Sequence, residues 1–158
     1  MSTINYAKLS EKPTKALYAL EMAIKESSSI EPVLMDLVKI RASQINGCML
    51  CIDMHIKEAR IHGERELRLH HLVAFHESPL FTEREKAALT WAEQVTKLEN
   101  HVPEEYLKKV LEHFSEKEVS DLTFSIATIN LWNRFGVAFH GVPGSMDKYL
   151  GLDKAGLA

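Results

Sequence analysis

Two cysteines and a histidine carry the most specific chemistry in this chain. Across 158 residues the only cysteines are Cys48 and Cys51, spaced C-x-x-C directly after Asn46-Gly47, and His55 follows four residues after the second. With about 3.6 residues per helical turn, the three side chains fall within roughly 60° of one another, so two sulfurs and an imidazole share one helix face. The thiolate is the reactive form of cysteine, and a helix amino terminus or a neighbouring imidazole favours it. If Asn46 caps the helix, Cys48 lies in its first turn among unpaired backbone N–H groups, whereas Cys51 is the sulfur within reach of His55. The two cues favour different sulfurs, and spacing alone leaves both orders of reaction open.

Such a pair suits peroxide reduction. A thiolate that attacks an O–O bond becomes a sulfenic acid, and a second thiol one turn away condenses with it to a disulfide before further oxidation. The departing alkoxide or hydroxide needs a proton, and an imidazole has a suitable ordinary pKa for handling it. Two plainer readings compete. The sulfurs could be small buried hydrophobes beside a core histidine, or the trio could belong to a zinc site. Zinc would need a fourth ligand, and the chain has no second C-x-x-C and no H-x-x-x-H pair; His70, His71, His76 and His101 are scattered. No metal and no bound organic cofactor is expected.

The elements that must position this cluster read as helices throughout. Apolar residues recur at three- and four-residue spacing without the sustained alternation of a half-buried strand, which predicts an all-α fold. A first helix is expected from after Pro13 to Glu26, through Leu17, Leu20 and Ile24, and a second from Pro32 through Leu34, Leu37 and Ile40 to the Asn46-Gly47 break. The cysteine helix follows, closing at Gly63. A short segment through Leu67, Leu69, Leu72 and Phe75 runs to Ser78-Pro79. Thr82 with Glu85, and Ser115 with Glu118, form capping boxes for helices near Glu83 to Leu98 and from Ser115 to near Gly141, with another helix opening at Pro103. The tail, with Pro143, Gly144, Gly151 and Gly156, is expected to be irregular.

No repeat, low-complexity tract or linker divides the chain, so residues 1–158 are expected to form one domain large enough to fold without disulfides. A net charge of −3 and a pI near 6.2 leave no basic footprint for nucleic acid. The absence of a basic-apolar leader or a long uncharged apolar stretch, with so few cysteines, predicts a cytoplasmic protein with no membrane partner. Phe124, Trp132, Phe135 and Phe139 lie on more than one face of the last long helix, which predicts burial between subunits and homo-oligomerisation.

The run from Leu37-Val38-Lys39-Ile40-Arg41-Ala42-Ser43-Gln44-Ile45-Asn46-Gly47-Cys48 through Cys51-Ile52-Asp53-Met54-His55 to Glu58-Ala59-Arg60 resembles the signature of the carboxymuconolactone decarboxylase superfamily. More narrowly it resembles the AhpD-like alkylhydroperoxidases. The likeness continues at Glu77-Ser78-Pro79-Leu80-Phe81, at Glu83-Arg84-Glu85 and at Ile129-Asn130-Leu131-Trp132-Asn133-Arg134. It implies an all-helical, homo-oligomeric protein, commonly a trimer or hexamer. The implied activity is a thiol peroxidase that reduces hydroperoxides through an intramolecular disulfide and is recycled by an external dithiol donor.

The resemblance also implies roles. Cys51 would attack, Cys48 would resolve, and His55 would join a proton relay with a carboxylate on the preceding helix. That carboxylate is usually glutamate, and the matching residue here is Asp36, one methylene shorter and expected to reach His55 through a water or to serve the relay less well. Without the resemblance, Asp36 reads as a first-turn acid favoured by the helix dipole. Trp132, Asn133 and Arg134 read as structural, tying the last helix to its neighbours. Two other functions fit the same residues: an acid-base enzyme of the decarboxylase type, which would not use the thiols, and a non-enzymatic redox sensor.

Overall fold

A computed structural model of the protein describes residues 4–157. The elements are α1 (Tyr6–Leu9), α2 (Glu11–Ser27), α3 (Pro32–Asn46), α4 (Met49–Ile61), α5 (Glu66–His71), α6 (Glu83–Lys97), α7 (Glu104–Leu111), α8 (Glu116–Ala138) and α9 (Asp147–Leu150), with short 3₁₀ turns at Leu72–Ala74 and Leu152–Ala155. The fold is all-helical, with no strand among the described residues.

Both expected capping boxes form. Thr82 Oγ1 accepts from the Glu85 backbone N–H at 3.2 Å while Glu85 Oε2 accepts from the Thr82 N–H at 2.7 Å. Ser115 and Glu118 repeat the exchange at 3.3 and 2.8 Å. Each box satisfies two backbone donors that a helix start otherwise leaves unpaired, and so fixes where α6 and α8 begin. Pro32 opens α3, as its locked φ and missing N–H suit that position.

Helix α3 is the central element. It buries Leu34, Met35, Leu37, Val38, Ile40 and Ala42, and it is flanked by α4, α6 and α8. Phe75, Leu72, Leu89, Leu122 and Ile126 complete the main core around it. Each large apolar side chain withdrawn from water here contributes about 1.5–3 kcal/mol, which ties the site-bearing end of α3 to the rest of the domain. A second, smaller cluster of Ala42, Cys48, Cys51 and Ile129, with Leu50 and Trp132 against it, surrounds the sulfurs.

Two expectations are corrected. The first long helix begins at Glu11, before Pro13, which its first turn accommodates because the N–H groups there have no partner in the helix. The tail is not irregular: it forms α9 and a 3₁₀ turn, with Leu152 buried. Its anchor is Lys57 of α4, whose ammonium donates to Asp53 Oδ2 at 2.9 Å and to Asp147 Oδ2 at 2.7 Å. Asp53 Oδ2 also accepts from the Gly144 N–H at 2.9 Å. Glycine and proline content signalled a loop, but a buried ion cluster organises it. No helix of the described residues is long and apolar enough to cross a membrane.

The anchor generates a prediction. In Lys57→Ala, Asp53 and Asp147 lose their shared cation, and the segment from 141 to 157 should become the first site of limited proteolysis, mapped by mass spectrometry. Cleavage at wild-type sites and rates would show that the tail is held by other contacts.

Candidate active site

The turn between α3 and α4 sets the sulfurs in place. Gly47 takes the left-handed conformation at φ 69°, a position that a residue with a Cβ enters only at a cost, so α3 runs through Asn46 and closes there. Cys48, with φ −86° and ψ 93°, is itself the N-cap of α4. Asn46 therefore does not cap the cysteine helix. Its carboxamide instead donates to Asn130 Oδ1 at 2.8 Å and Asn133 Oδ1 at 2.9 Å, fastening the turn to α8. Asn133 in turn donates to Ser43 Oγ at 3.0 Å. The structural reading of α8 holds for its other residues too: Trp132 packs its ring 5.1 Å from Tyr18, and Arg134 donates to the Asn130 carbonyl at 2.7 Å.

Both cysteines are reduced and buried, Cys48 at 1% and Cys51 at 5% exposure. The Cys51 thiol hydrogen-bonds the Cys48 sulfur, and that bond, with the Cys51 backbone N–H and the Asn133 carboxamide, outweighs burial and lowers the Cys48 pKa to about 6. Cys51 moves the other way, because Cys48 and burial hold its proton. The pair thus carries a single negative charge near neutral pH, resting on Cys48, where the first turn of α4 points its N–H groups.

Helix α8 presses its backbone against this pair. A Cβ at Gly136 would lie 2.5 Å from Cys48 Sγ, closer than a side chain tolerates, and at ordinary contact distance, 3.5 Å, from Cys51 Sγ. Beside it opens a cavity of about 340 Å³ lined by Tyr6, Leu50, Phe135, Gly136, Phe139 and Gly141. The Tyr6 ring packs tilted against Phe135 at 4.6 Å and stacks on Phe139 at 5.4 Å, so the short α1 forms one wall. Phe135 and Phe139 thus face this cavity and α1, and Phe124 is the exposed member of the aromatic set. Sequence reasoning did not find Tyr6 or Gly136. Both lie far from the motif along the chain, and their roles exist only once α1 and α8 meet over it.

The relay residues converge in a way the sequence only partly indicates. Asp36, His55 and Glu58 present polar atoms within 4.8 Å of one another. The hydrogen-bond partner of His55 is Glu58, with Nδ1 2.8 Å from Oε2, one turn along the same helix. Asp36 pairs instead with His62, Oδ2 lying 2.5 Å from Nδ1. Glu58 was present in the quoted motif, three residues after His55, and that spacing was the available signal for it.

The two carboxylates differ in how readily they take up a proton. Burial pushes Asp36 up to about 6, against the hydrogen bond from His62 and reinforced by the neighbouring Glu58. Burial also acts on Glu58, but the bond and charge of His55, with Lys39 and Lys25 nearby, hold it down to about 2. Asp36, His55 and Glu58 are the described residues with atoms close enough to share a metal ion, but each is already engaged by an internal hydrogen bond.

Two predictions arise from these shifts. Ultraviolet titration of thiolate absorbance should reveal one thiolate per chain with a midpoint near 6, and Asn133→Ala should raise that midpoint. A single midpoint in the ordinary cysteine range would contradict the shared charge. Asp36 takes up its proton more readily folded, at about 6, than at its ordinary 3.8. Its stabilising contribution is therefore full below that window and lost as pH rises through it, leaving a buried charge above. Asp36→Asn should stabilise the protein at pH 8 by on the order of 2 kcal/mol and flatten the pH dependence between about 4 and 6, as read by urea unfolding. An unchanged pH profile would contradict this account of Asp36.

Comparison with known proteins places this arrangement. Over 136 residues the chain is 39% identical to the uncharacterized protein YdfG of Bacillus subtilis, covering 85% of this chain and 92% of that one. A crystal structure of a protein of unknown function from Agrobacterium tumefaciens, assigned to AhpD antioxidant defence, superimposes with a TM-score of 0.86 at 40% identity, covering 90% of this chain and 98% of that one. The debrominase Bmp8 shares the fold at a TM-score of 0.77 and 21% identity, with 92% and 79% of the two chains covered. Residues 12–94, which span α2 to α6 and hold both cysteines, His55 and Asp36, match the Carboxymuconolactone decarboxylase family. The chain is a member of that family, with an AhpD-like fold.

Proposed function

We propose that this protein is a thiol peroxidase that reduces organic hydroperoxides or hydrogen peroxide through a Cys48–Cys51 disulfide. The observation that carries the reading is the singly charged, buried sulfur pair at the start of α4. One thiolate attacks the terminal oxygen of the peroxide, the O–O bond breaks, and the leaving oxygen takes a proton to depart as an alcohol or water. Sulfur is oxidised by two electrons to a sulfenic acid. The second sulfur then displaces that hydroxyl as water and closes the disulfide, which an external dithiol reduces. The peroxidase reading is also supported by the likeness to the Agrobacterium protein assigned to antioxidant defence.

In the leading order Cys51 attacks, as the family resemblance implies. Its proton shifts across the S–H···S bond to Cys48, and the His55–Glu58 pair assists transfer of that proton from Cys48 to the hydroxyl that departs as water when Cys48 resolves. A second order, with Cys48 attacking first, is favoured by one observation: the resting charge lies on Cys48. Acid-base chemistry of the decarboxylase type would draw on Asp36, His55 and Glu58 alone and gives the ionised sulfurs no task; a non-catalytic redox sensor would use the sulfurs but not turn over.

The reading extends to context. A reduced cysteine pair that must be recycled suits the cytoplasm, and a dithiol or redox protein is the partner it requires. Exposed Met22 on α2, with Phe124 and Leu131 on α8, provides apolar surface for the homo-oligomer, trimer or hexamer, that the resemblance implies.

Reduced protein treated with stoichiometric cumene hydroperoxide should lose both thiols to an internal disulfide and recover them with a dithiol over repeated cycles. With Cys51 attacking, Cys48→Ser should accumulate a trappable sulfenic acid and Cys51→Ser should not. The reverse pattern would establish the Cys48-first order, and unreactive thiols in the wild type would end the peroxidase reading.

A further inference from the structure

Resting on the peroxidase reading, we propose that Tyr6 is a catalytic residue: its phenol donates a hydrogen bond, and then the proton, to the leaving oxygen of a hydroperoxide held in the cavity between α1 and the end of α8.

The cavity has two chemically different sides. On one, the bare backbone of Gly136 lies against the sulfurs, since a Cβ there would sit 2.5 Å from Cys48 Sγ. On the other stands Tyr6, fixed by its stack on Phe135 and Phe139. Leu50, from within the C-x-x-C motif itself, joins these walls, and the buried sulfurs lie behind Gly136. His55 lines no part of this cavity and is tied to Glu58. Among the residues of the wall, Tyr6 carries the hydroxyl that could donate to the leaving oxygen.

The way α1 is held points in the same direction. It is a helix of four residues with none buried, capped by Asn5, whose side chain accepts from the Lys8 N–H at 3.1 Å. So short a helix has almost no stability of its own. The aromatic contacts through Tyr6 are what seat it over the end of α8, and they hold the phenol ring in the cavity wall that Gly136 shares. Burial, then Tyr18, then the charges of Cys51 and Cys48 all push the Tyr6 pKa upward. The phenol is consequently a neutral O–H donor at neutral pH, where the sulfur pair is already ionised.

The step balances. A thiolate attacks the terminal oxygen and keeps its hydroxyl as the sulfenic acid; the O–O bond breaks toward the alkoxide; Tyr6 gives its proton to that alkoxide, which leaves as the alcohol; and the phenolate recovers a proton from water. The oxidant is the hydroperoxide itself. The assignment is the same whichever cysteine attacks.

The test compares leaving groups. Tyr6→Phe keeps the ring and its stack but has no hydroxyl. Thiol oxidation by cumene hydroperoxide, followed by stopped flow, should slow by about 10²-fold, the scale of a lost general acid. Oxidation by peracetic acid should stay near the wild-type rate, because its carboxylate leaves without a proton. The thiolate midpoint and urea unfolding should not change, and Tyr18→Phe should leave both rates at wild type. Equal slowing with both oxidants would assign Tyr6 to packing alone and overturn the proposal, as would a wild-type rate with cumene hydroperoxide. Failure of the wild type to react with cumene hydroperoxide, while peracetic acid still oxidises it, would overturn the peroxidase reading itself and the Tyr6 role with it.

Discussion

A single negative charge shared by two buried sulfurs is the constraint around which the site is built. Neither cysteine is more than 5% exposed, so water cannot solvate that charge, and the protein must do so with fixed dipoles. Three are supplied: the partner thiol, the N–H groups at the start of α4, and the Asn133 carboxamide. Each requires a different piece of structure. The partner thiol requires the C-x-x-C turn of helix, the N–H groups require that α4 begin at Cys48, and Asn133 requires that α8 lie directly across the motif.

That last requirement explains much of the polar architecture in the second core cluster. Asn46, Asn130, Asn133 and Ser43 form a buried hydrogen-bonded set joining the end of α3 to the middle of α8. Asn130 adds a bond to Thr96 of α6 at 3.0 Å. Such networks are costly when incomplete and specifying when complete, and this one fixes α8 at the height where Gly136 meets the sulfurs. The absent Cβ at 136 is what permits the approach. The carboxylates of Asp36 and Glu58 sit within 4.8 Å of each other and of His55, and their proton affinities diverge because burial prevails at Asp36 while His55, Lys39 and Lys25 prevail over burial at Glu58.

The fold alone does not decide the chemistry. The chain shares its architecture with a debrominase as well as with a protein assigned to antioxidant defence, and only the latter likeness carries substantial sequence identity. Function is argued from the sulfurs, their charge and the cavity beside them. The wall from α1 and α8 is largely apolar and aromatic, with Leu50, Phe135 and Phe139 beside Tyr6.

The sequence by itself determined the helical class, the boundaries set by Thr82–Glu85, Ser115–Glu118, Pro32 and Gly47, and the presence of Cys48, Cys51 and His55 on neighbouring turns. These are local properties: capping, backbone conformation and helical period act over three to five residues and leave their mark in residue type. The same locality accounts for Glu58, whose spacing from His55 was visible although its role was not read. What only the tertiary structure decided is which groups complete the site. Asp36 hydrogen-bonds His62 while lying near His55, Asn133 and Gly136 reach the sulfurs from far downstream in the chain, and Tyr6 reaches the cavity from the other end of the chain. The tail folds onto Lys57 despite its glycines. Contacts between distant segments depend on how helices dock, and docking is set by the summed packing of many apolar side chains, which no short stretch of sequence records.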